Sequence, residues 1–311
     1  MKTIKTNLNS VTLAVALAVA GLVVPARPTH SQSNVYSINV VGYVSQTLTN
    51  CYAFIANPLD TTNNSLRRLI PAPPEGTRVW LWNVDNQAFD PPATFANQDW
   101  SMDLDLPVGR GFVIHSPTNF TITFVGEVLQ GWLTNPVAGN NRLSLLGSKV
   151  PQAAPLSAEL EFPGSDGDEV YLVWPTDSGF LDACTYYADY GWFDPRRTVG
   201  PDGPVIEVGR AFFVRHPGPD TNWVRNFWVP DNQPNRASSI PGVTVPRILG
   251  LALRAGAVTL ELSKTGTPYD VQWSGDGVAW TTLAVNQTGT TWTGRYPGGA
   301  QGYYRATNPA N

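Results

Sequence analysis

The chain has 311 residues and a formal net charge of −4 at pH 7, and charged residues make up only 14% of it. This length suits two or three domains of ~100–150 residues each, and the sequence has no basic stripe, which argues against nucleic acid as a partner. Trp, Pro and Gly are plentiful while Lys and Glu are scarce. Such a composition favours strands and turns over exposed helices, so we predict an all-β protein.

The N-terminal segment has the pattern of a secretory signal peptide. Two lysines precede an apolar run, Val11 to Val24, which has the length of a signal-peptide core and is short for a membrane span. Small residues follow at Ser31 and Ser33, so we predict that residues 1–33 are removed; retention of the run as an anchor helix is the alternative. We therefore expect a secreted, extracellular or periplasmic protein that is not an integral membrane protein.

The middle of the chain contains two similar segments. Leu106 to Val113 (LPVGRGFV) is echoed by Ile206 to Phe213 (IEVGRAFF), and apolar alternation and Gly placement agree in the flanking sequence. A repeat of this period indicates two copies of one supersecondary unit, packed as a pseudo-symmetric pair. We place β-module copy one at residues 34–126 and copy two at residues 127–229.

Alternating β-branched and aromatic residues, separated by Pro- and Gly-rich turns, predict the strands of copy one. A short turn of helix is expected around Asn64 to Leu69. Val40 to Val44 also resembles Phe124 to Val128, a relation that a closed or interlocked barrel- or sandwich-like module explains, because every strand then has two neighbours. The predicted strands are Val35 to Val44, Tyr52 to Ala56, Arg78 to Trp82, Gly111 to His115 and Phe120 to Val125.

The last part of the chain differs in character from the repeated modules. Residues 230–246 are rich in Pro, Asn and Ser, as is typical of a linker. Residues 247–311 contain short strands with regular turn signals, which predict a small C-terminal β-sandwich. Its predicted strands are Ile248 to Leu253, Ala257 to Leu262, Tyr269 to Trp273, Thr291 to Tyr296 and the closing Tyr303 to Ala306.

Two resemblances accompany these patterns. Tyr269 to Ser274, Val278 to Leu283 and Tyr303 to Arg305 resemble the fibronectin type III-like and immunoglobulin-like modules appended to bacterial secreted proteins. This resemblance implies a β-sandwich that serves as a spacer or contact surface. The front two-thirds resembles a family of uncharacterised secreted β-rich proteins of planctomycete- and verrucomicrobia-like bacteria, which implies export and a β-rich fold and assigns no functional residue. The second resemblance rests on Tyr36 to Val44, Ile55 to Leu59 and Pro107 to Phe112.

The strongest local signal is an aromatic segment, Thr185 to Arg197 (TYYADYGWFDPRR). Trp192 is echoed by Trp100 in copy one, so we predict that it is a core residue. Copy one does not fully share the three tyrosines, and Tyr faces beside charged groups suit sugar rings, with core packing of these tyrosines as the alternative. The predicted ligand-binding residues are Tyr186, Tyr187, Tyr190, Asp194 and Arg196.

Other candidate groups favour structural roles. His115 and His216 could form a metal or acid–base pair, but they fall one position out of register and suit strand ends better. Asp103 and Asp105 could form a glycosidase-like carboxylate pair or a charged strand edge. Ser165 to Glu169 could offer oxygens to Ca²⁺, but a solvated turn fits better. The sequence contains no nucleophile elbow, H-E-x-x-H or phosphate-binding loop, so no catalytic residue, metal or cofactor is predicted.

Two cysteines follow the predicted signal peptide, one in each copy. An exported chain permits a disulfide between Cys51 and Cys184, which would join the two copies. Two half-buried thiols are the alternative, because the distance between them does not follow from the sequence.

These observations favour a secreted, non-catalytic binding or structural protein, with carbohydrate or a cell-surface polymer as its ligand. One alternative is a secreted polysaccharide hydrolase whose carboxylates remain unassigned. Another is an adhesin or matrix component that contacts only protein. A cleft with converging carboxylates would favour the enzyme, and an open aromatic surface would favour the binding protein.

Overall fold

The computed structural model describes residues 39–49, 52–172, 183–195, 199–229, 245–263 and 266–309. Strands dominate these residues, and they pair antiparallel. The helix in this part of the chain is the single turn α1 (Leu66–Leu69), within the predicted helical turn. The all-β prediction is therefore confirmed. The described sheets are open at both ends of their strand order, which fits the sandwich-like form of the predicted module.

The first module is built on one antiparallel sheet with the strand order β2-β7-β3-β5-β6, and β4 pairs with β3 beside it. Leu66 of α1, Ile114 and Trp100 belong to the core of this module. The first strand, β1, pairs with the last, β8, over its whole length. The strands are β1 (Val41–Leu48), β2 (Tyr52–Ala56), β3 (Arg78–Asn83), β4 (Ala88–Phe89), β5 (Ala93–Ala96), β6 (Asp99–Trp100), β7 (Gly111–His115) and β8 (Phe120–Glu127).

The second module has a main sheet with the strand order β10-β16-β12-β13-β14. A separate ribbon pairs β9 with β17, and β11 pairs with β15. Its core includes Val170, Trp192 and Trp223. The strands are β9 (Gly131–Val137), β10 (Leu143–Gly147), β11 (Ala154–Pro155), β12 (Glu169–Tyr171), β13 (Cys184–Tyr187), β14 (Gly191–Phe193), β15 (Val205–Ile206), β16 (Ala211–Arg215) and β17 (Thr221–Phe227).

The main sheets of the two modules follow the same order of connection. In each module the first strand pairs with the last, and the strand before the last lies second in the sheet. Trp100 and Trp192 occupy matching hairpin positions, and both are buried, as the sequence predicts for Trp192. The exact limits of the copies, residues 34–126 and 127–229, stay predictions.

The two modules meet through a reciprocal pair of backbone hydrogen bonds. The Ala56 N–H donates to the Gly209 carbonyl at 3.0 Å, and the Gly147 N–H donates to the Gly109 carbonyl at 3.0 Å. Ala56 ends β2 opposite the first residue of β7, and Gly147 ends β10 opposite the first residue of β16, so these positions are equivalent. An added Cβ on Gly147 would lie 2.2 Å from the Ala56 Cβ. Glycine is therefore required there for the modules to approach closely.

The C-terminal strands form two sheets around one core. One sheet is β18-β19-β22, and the other has the order β21-β20-β23-β1-β8. The predicted C-terminal sandwich thus shares a sheet with the first module, and Tyr43 of β1 is buried in the same core as Val271 and Trp292. The strands are β18 (Ile248–Arg254), β19 (Ala257–Leu262), β20 (Tyr269–Ser274), β21 (Thr281–Gln287), β22 (Thr291–Arg295) and β23 (Gln301–Thr307).

Several predictions concern segments outside the described residues. They are the signal peptide at residues 1–33, Cys51, Arg196 and residues 230–244 of the linker. Cys184 is buried in the core of the second module, and a disulfide with Cys51 and two separate thiols stay alternatives. Within the described part of the chain, no helix is long and apolar enough to cross a membrane.

Candidate functional site

The β13–β14 hairpin carries most of the aromatic segment and sorts its rings onto two faces. Side chains alternate between faces along a strand, and Tyr186 pairs with Trp192 across the hairpin. Both therefore point inward: their ring centroids lie 5.3 Å apart, and the Trp192 indole donates to the Ser157 hydroxyl at 2.8 Å. Tyr187 and Phe193 take the outward positions of the same hairpin.

Three exposed rings belong to this hairpin and its turn. Tyr187 is 47% exposed, Tyr190 63% and Phe193 43%. The Tyr190 and Phe193 rings contact each other edge to face at 6.3 Å. Tyr187 pairs with Gly191, so no side chain covers it from the neighbouring strand. We call Tyr187, Tyr190 and Phe193 the aromatic surface.

The predicted site residues divide between this surface and the interior. Tyr187 and Tyr190 are exposed, as a binding role requires. Tyr186 is half-buried against the core of the second module, and Asp194 is buried, so neither lies on the aromatic surface. The reason is strand alternation, which directs Tyr186 inward with Trp192 and turns Phe193 outward. Arg196 lies outside the described residues.

The fold itself does not require the aromatic surface. In the matching hairpin of the first module, Phe95 and Trp100 are the inward pair, with ring centroids 5.4 Å apart. Ala96 and Asp99 take the positions of Tyr187 and Gly191. The outward face of that hairpin is thus small and polar, so the exposed rings of the second module serve something other than the shared architecture.

The histidines and the acidic turn that the sequence also offered as candidates do not join the aromatic surface. His216 is buried, and its Nδ1 lies 2.5 Å from the Asp168 carboxylate, which also accepts from the Ser165 N–H. Asp168 of the acidic turn is therefore engaged inside the protein, not solvated as predicted. His115 lies against the Tyr52 ring at 4.7 Å. Among the residues that the structure describes, no group of three or more His, Cys, Asp and Glu side chains could hold a metal ion.

No protein-family model matches this chain. A comparison with curated proteins also found no significant match. The two resemblances drawn from its motifs therefore stay predictions, and a functional assignment depends on the geometry of its surfaces.

A cleft of about 750 Å³ lies between the two modules, beside the Gly147–Gly109 hydrogen bond. Its size falls within the range of small-molecule sites. The wall from the first module includes the end of β3, where the Trp82 indole donates to the Leu143 carbonyl at 2.8 Å. The charged residues that line the cleft are Asp90 and Arg110 of the first module and Arg142, Lys149 and Asp220 of the second.

One carboxylate of the cleft is committed to structural contacts. Asp220 accepts from the Gly139 N–H at 2.8 Å and from Arg142 at 2.6 Å. The Gly139 N–H, and after it Arg142, lower the pKa of this carboxyl below its usual value. A carboxylate held ionised in this way is poorly suited to act as a general acid.

Sequence reasoning missed this cleft because its walls come from segments far apart in the chain. One signal was visible nonetheless. Lys149 and Lys264 are the only lysines after residue 33 in the sequence. Lys149 lies two residues after the end of β10, where copy one has Pro58 at the same distance from the end of β2. A lysine in a sequence with so few lysines is thus the feature of the sequence that indicates this cleft.

Proposed function

We propose that this protein is an exported, non-catalytic binding protein whose aromatic surface binds a carbohydrate or a cell-surface polymer. The observation that carries the proposal is the adjacent exposure of Tyr187, Tyr190 and Phe193. Their rings offer flat apolar faces to sugar rings, and the two tyrosine hydroxyls can hydrogen-bond to sugar hydroxyls. Export rests on the signal-peptide pattern of residues 1–33.

The matching hairpins support a binding role over a packing role. Exposed apolar side chains that occur singly are ordinary, whereas a contiguous group marks a contact surface. The first module keeps the inward aromatic pair and has Ala96 and Asp99 outside. The duplicated architecture, which we also infer from the matching strand order, therefore keeps its core without the outer rings.

The carboxylates favour the binding protein over the hydrolase alternative. Asp103 and Asp105 are exposed, and Asp103 accepts from the Arg67 backbone N–H at 3.0 Å. In the cleft, Asp220 is ion-paired with Arg142. Neither site offers a buried carboxyl beside a second carboxylate, which is the usual glycosidase arrangement.

Replacing both Tyr187 and Tyr190 with alanine is expected to weaken polymer binding by roughly 1–3 kcal/mol in total, judged by the contribution of aromatic contacts. The melting temperature should stay nearly unchanged, because both side chains are exposed. Pull-down of the secreted protein on insoluble cellulose, chitin and xylan, followed by binding isotherms on any polymer retained, measures the effect.

The matched control is Trp132→Ala, which removes another exposed ring, 75% exposed, on the outward side of the β9–β17 ribbon. This variant should bind polymer like the wild-type protein. A large loss of stability in the tyrosine double variant with binding intact would show that these rings are packing residues. Retention on none of the polymers would favour the protein-contacting adhesin.

Export gives a separate expected result. When the full chain is expressed in a bacterial host and collected outside the cytoplasm, N-terminal sequencing should find a start between Gln32 and Val35, by the small-residue cleavage rule. The apolar run is too short to favour a stable span, so cleavage is expected over anchoring. Collected protein that still begins at Met1 would contradict the prediction.

A further inference from the structure

Lys149 is placed in the cleft with its charge unmatched. Its side-chain carbons lie over Gly109, where an added Cβ would be 2.5 Å from the Lys149 Cγ. The side chain is half-buried, and burial lowers the pKa of its ammonium group. No carboxylate of the described residues forms an ion pair with it. A partly desolvated ammonium without a protein partner is a favourable contact for an anion.

A second cation, Arg225, lines a small recess together with Lys149. Lys149 and Asn135 line both the cleft and this recess, which has a volume of about 10 Å³. Arg225 is 8% exposed, and its Nη1 is buried without a hydrogen-bond partner in the described part of the chain. Its Nε lies 4.0 Å from the Glu161 carboxylate, and its Nη2 donates to Gln152 at 2.7 Å. The recess has two cations and no carboxylate in its lining.

The charge of the cleft is opposite to that of the whole protein. Three cations and two carboxylates line it, although the chain carries a formal net charge of −4. Arg142 and Asp220 neutralise each other at 2.6 Å. Asp90 accepts from the Asn83 side chain at 3.1 Å. Lys149 and Arg110 are therefore the lining cations that form no ion pair in the described residues, and Asp90 is the one lining carboxylate that forms none.

We propose that this cleft is a second binding site, for an acidic oligosaccharide whose carboxylate or sulfate oxyanion contacts Lys149. The exposed Asn222 supplies an amide for sugar hydroxyls, and Trp82 supplies an apolar wall. The volume accommodates a short oligosaccharide. The saccharide class rests on the proposed function, whereas the oxyanion contact rests on the cleft alone.

The test is calorimetric titration of the secreted protein with three probes: an oligogalacturonate tetramer, a sulfated tetrasaccharide and neutral cellotetraose. At least one acidic probe should bind more tightly than the neutral probe, and raising the salt concentration should weaken that binding by screening. The acidic probe that binds identifies the carboxylate or the sulfate as the source of the oxyanion.

Lys149→Met keeps the length of the side chain over Gly109 and removes its charge, and Lys149→Arg keeps the charge. We expect Lys149→Met to lower the affinity for the acidic probe roughly 10- to 100-fold, which is the range for a hydrogen bond to a charged group. The affinity of Lys149→Arg should stay within about threefold of the wild-type value. An equal effect of both variants, no effect of Lys149→Met, or equal binding of all three probes would overturn the proposal.

The same variant separates this proposal from the proposed function. Lys149→Met should be retained on insoluble polysaccharide as well as the wild-type protein, because Lys149 does not belong to the aromatic surface. If the variant no longer binds the acidic probe but is still retained on the polymer, the cleft and the aromatic surface are separate binding sites. If no polymer is retained but the acidic probe still depends on the Lys149 charge, the aromatic surface fails as a binding site while the cleft stands.

Discussion

Trp192→Ala is expected to lower the free energy of unfolding by about 3–5 kcal/mol, the range for removing a buried aromatic side chain. Trp192 is fully buried, and it contacts Tyr186 at 5.3 Å and Phe162 at 6.0 Å between ring centroids. The variant would leave a cavity and remove the hydrogen bond of 2.8 Å that the indole N–H donates to the Ser157 hydroxyl. Chemical denaturation measured by tryptophan fluorescence and by circular dichroism reports the loss.

A neighbouring variant serves as the control for this loss. Tyr190→Ala changes the same hairpin on its outward side, where the ring is 63% exposed, and should alter the free energy of unfolding by less than about 0.5 kcal/mol. A loss below about 1 kcal/mol for Trp192→Ala would show that this ring is not packed as described. The two variants together separate the inward and outward faces of β13–β14.

Gly147→Ala is expected to destabilise the protein by about 1–3 kcal/mol, the usual cost of forcing a methyl group into a packed region. The new Cβ would lie 2.2 Å from the Ala56 Cβ and 3.1 Å from the Arg210 carbonyl oxygen. Both contacts are at or next to the backbone, so no flexible side chain can move aside. The modules would have to separate, which would weaken the reciprocal hydrogen bonds. Thermal and denaturant unfolding measure the change.

Gly200→Ala is the matched control for Gly147→Ala. An added Cβ there meets no atom of the described residues within 4 Å, and no left-handed φ is present to make alanine strained. This control should be neutral or slightly stabilising, since alanine restricts the unfolded chain more than glycine does. Equal stability of Gly147→Ala and the control would contradict the close approach of the two modules.

Strands with regular alternation could be predicted from the sequence nearly to the residue. Tyr52 to Ala56, Gly111 to His115 and Ala257 to Leu262 have the predicted limits. β9 (Gly131–Val137) escaped prediction because its inward residue Asn135 is polar and a proline follows it. Asn135 is buried and donates to the Gly147 carbonyl at 2.8 Å. A buried, hydrogen-bonded Asn thus takes the inward position where an apolar residue would have completed the alternating pattern by which strands are predicted.

The candidate site could be predicted in type but not in every member. The exposure of Tyr187 and Tyr190 follows from a tyrosine-rich segment that the first module does not share. Choosing between Tyr186 and Phe193 requires the register of the hairpin, and a shift of one residue exchanges the two faces of a strand. Lys149 could not be predicted as a site residue, because Gly109 and Arg225, which lie near it in the structure, are distant from it in the sequence.

The position of β1 between β8 and β23 has a consequence for the order in which the chain folds. Pairing with β8 closes a loop within the first module, but the Tyr43 hydroxyl also donates to the Gly298 carbonyl, 255 residues away in sequence. Contacts of such separation form slowly, because chain entropy is lost before they are gained. Until β23 arrives, one edge of β1 is open to strands of other molecules.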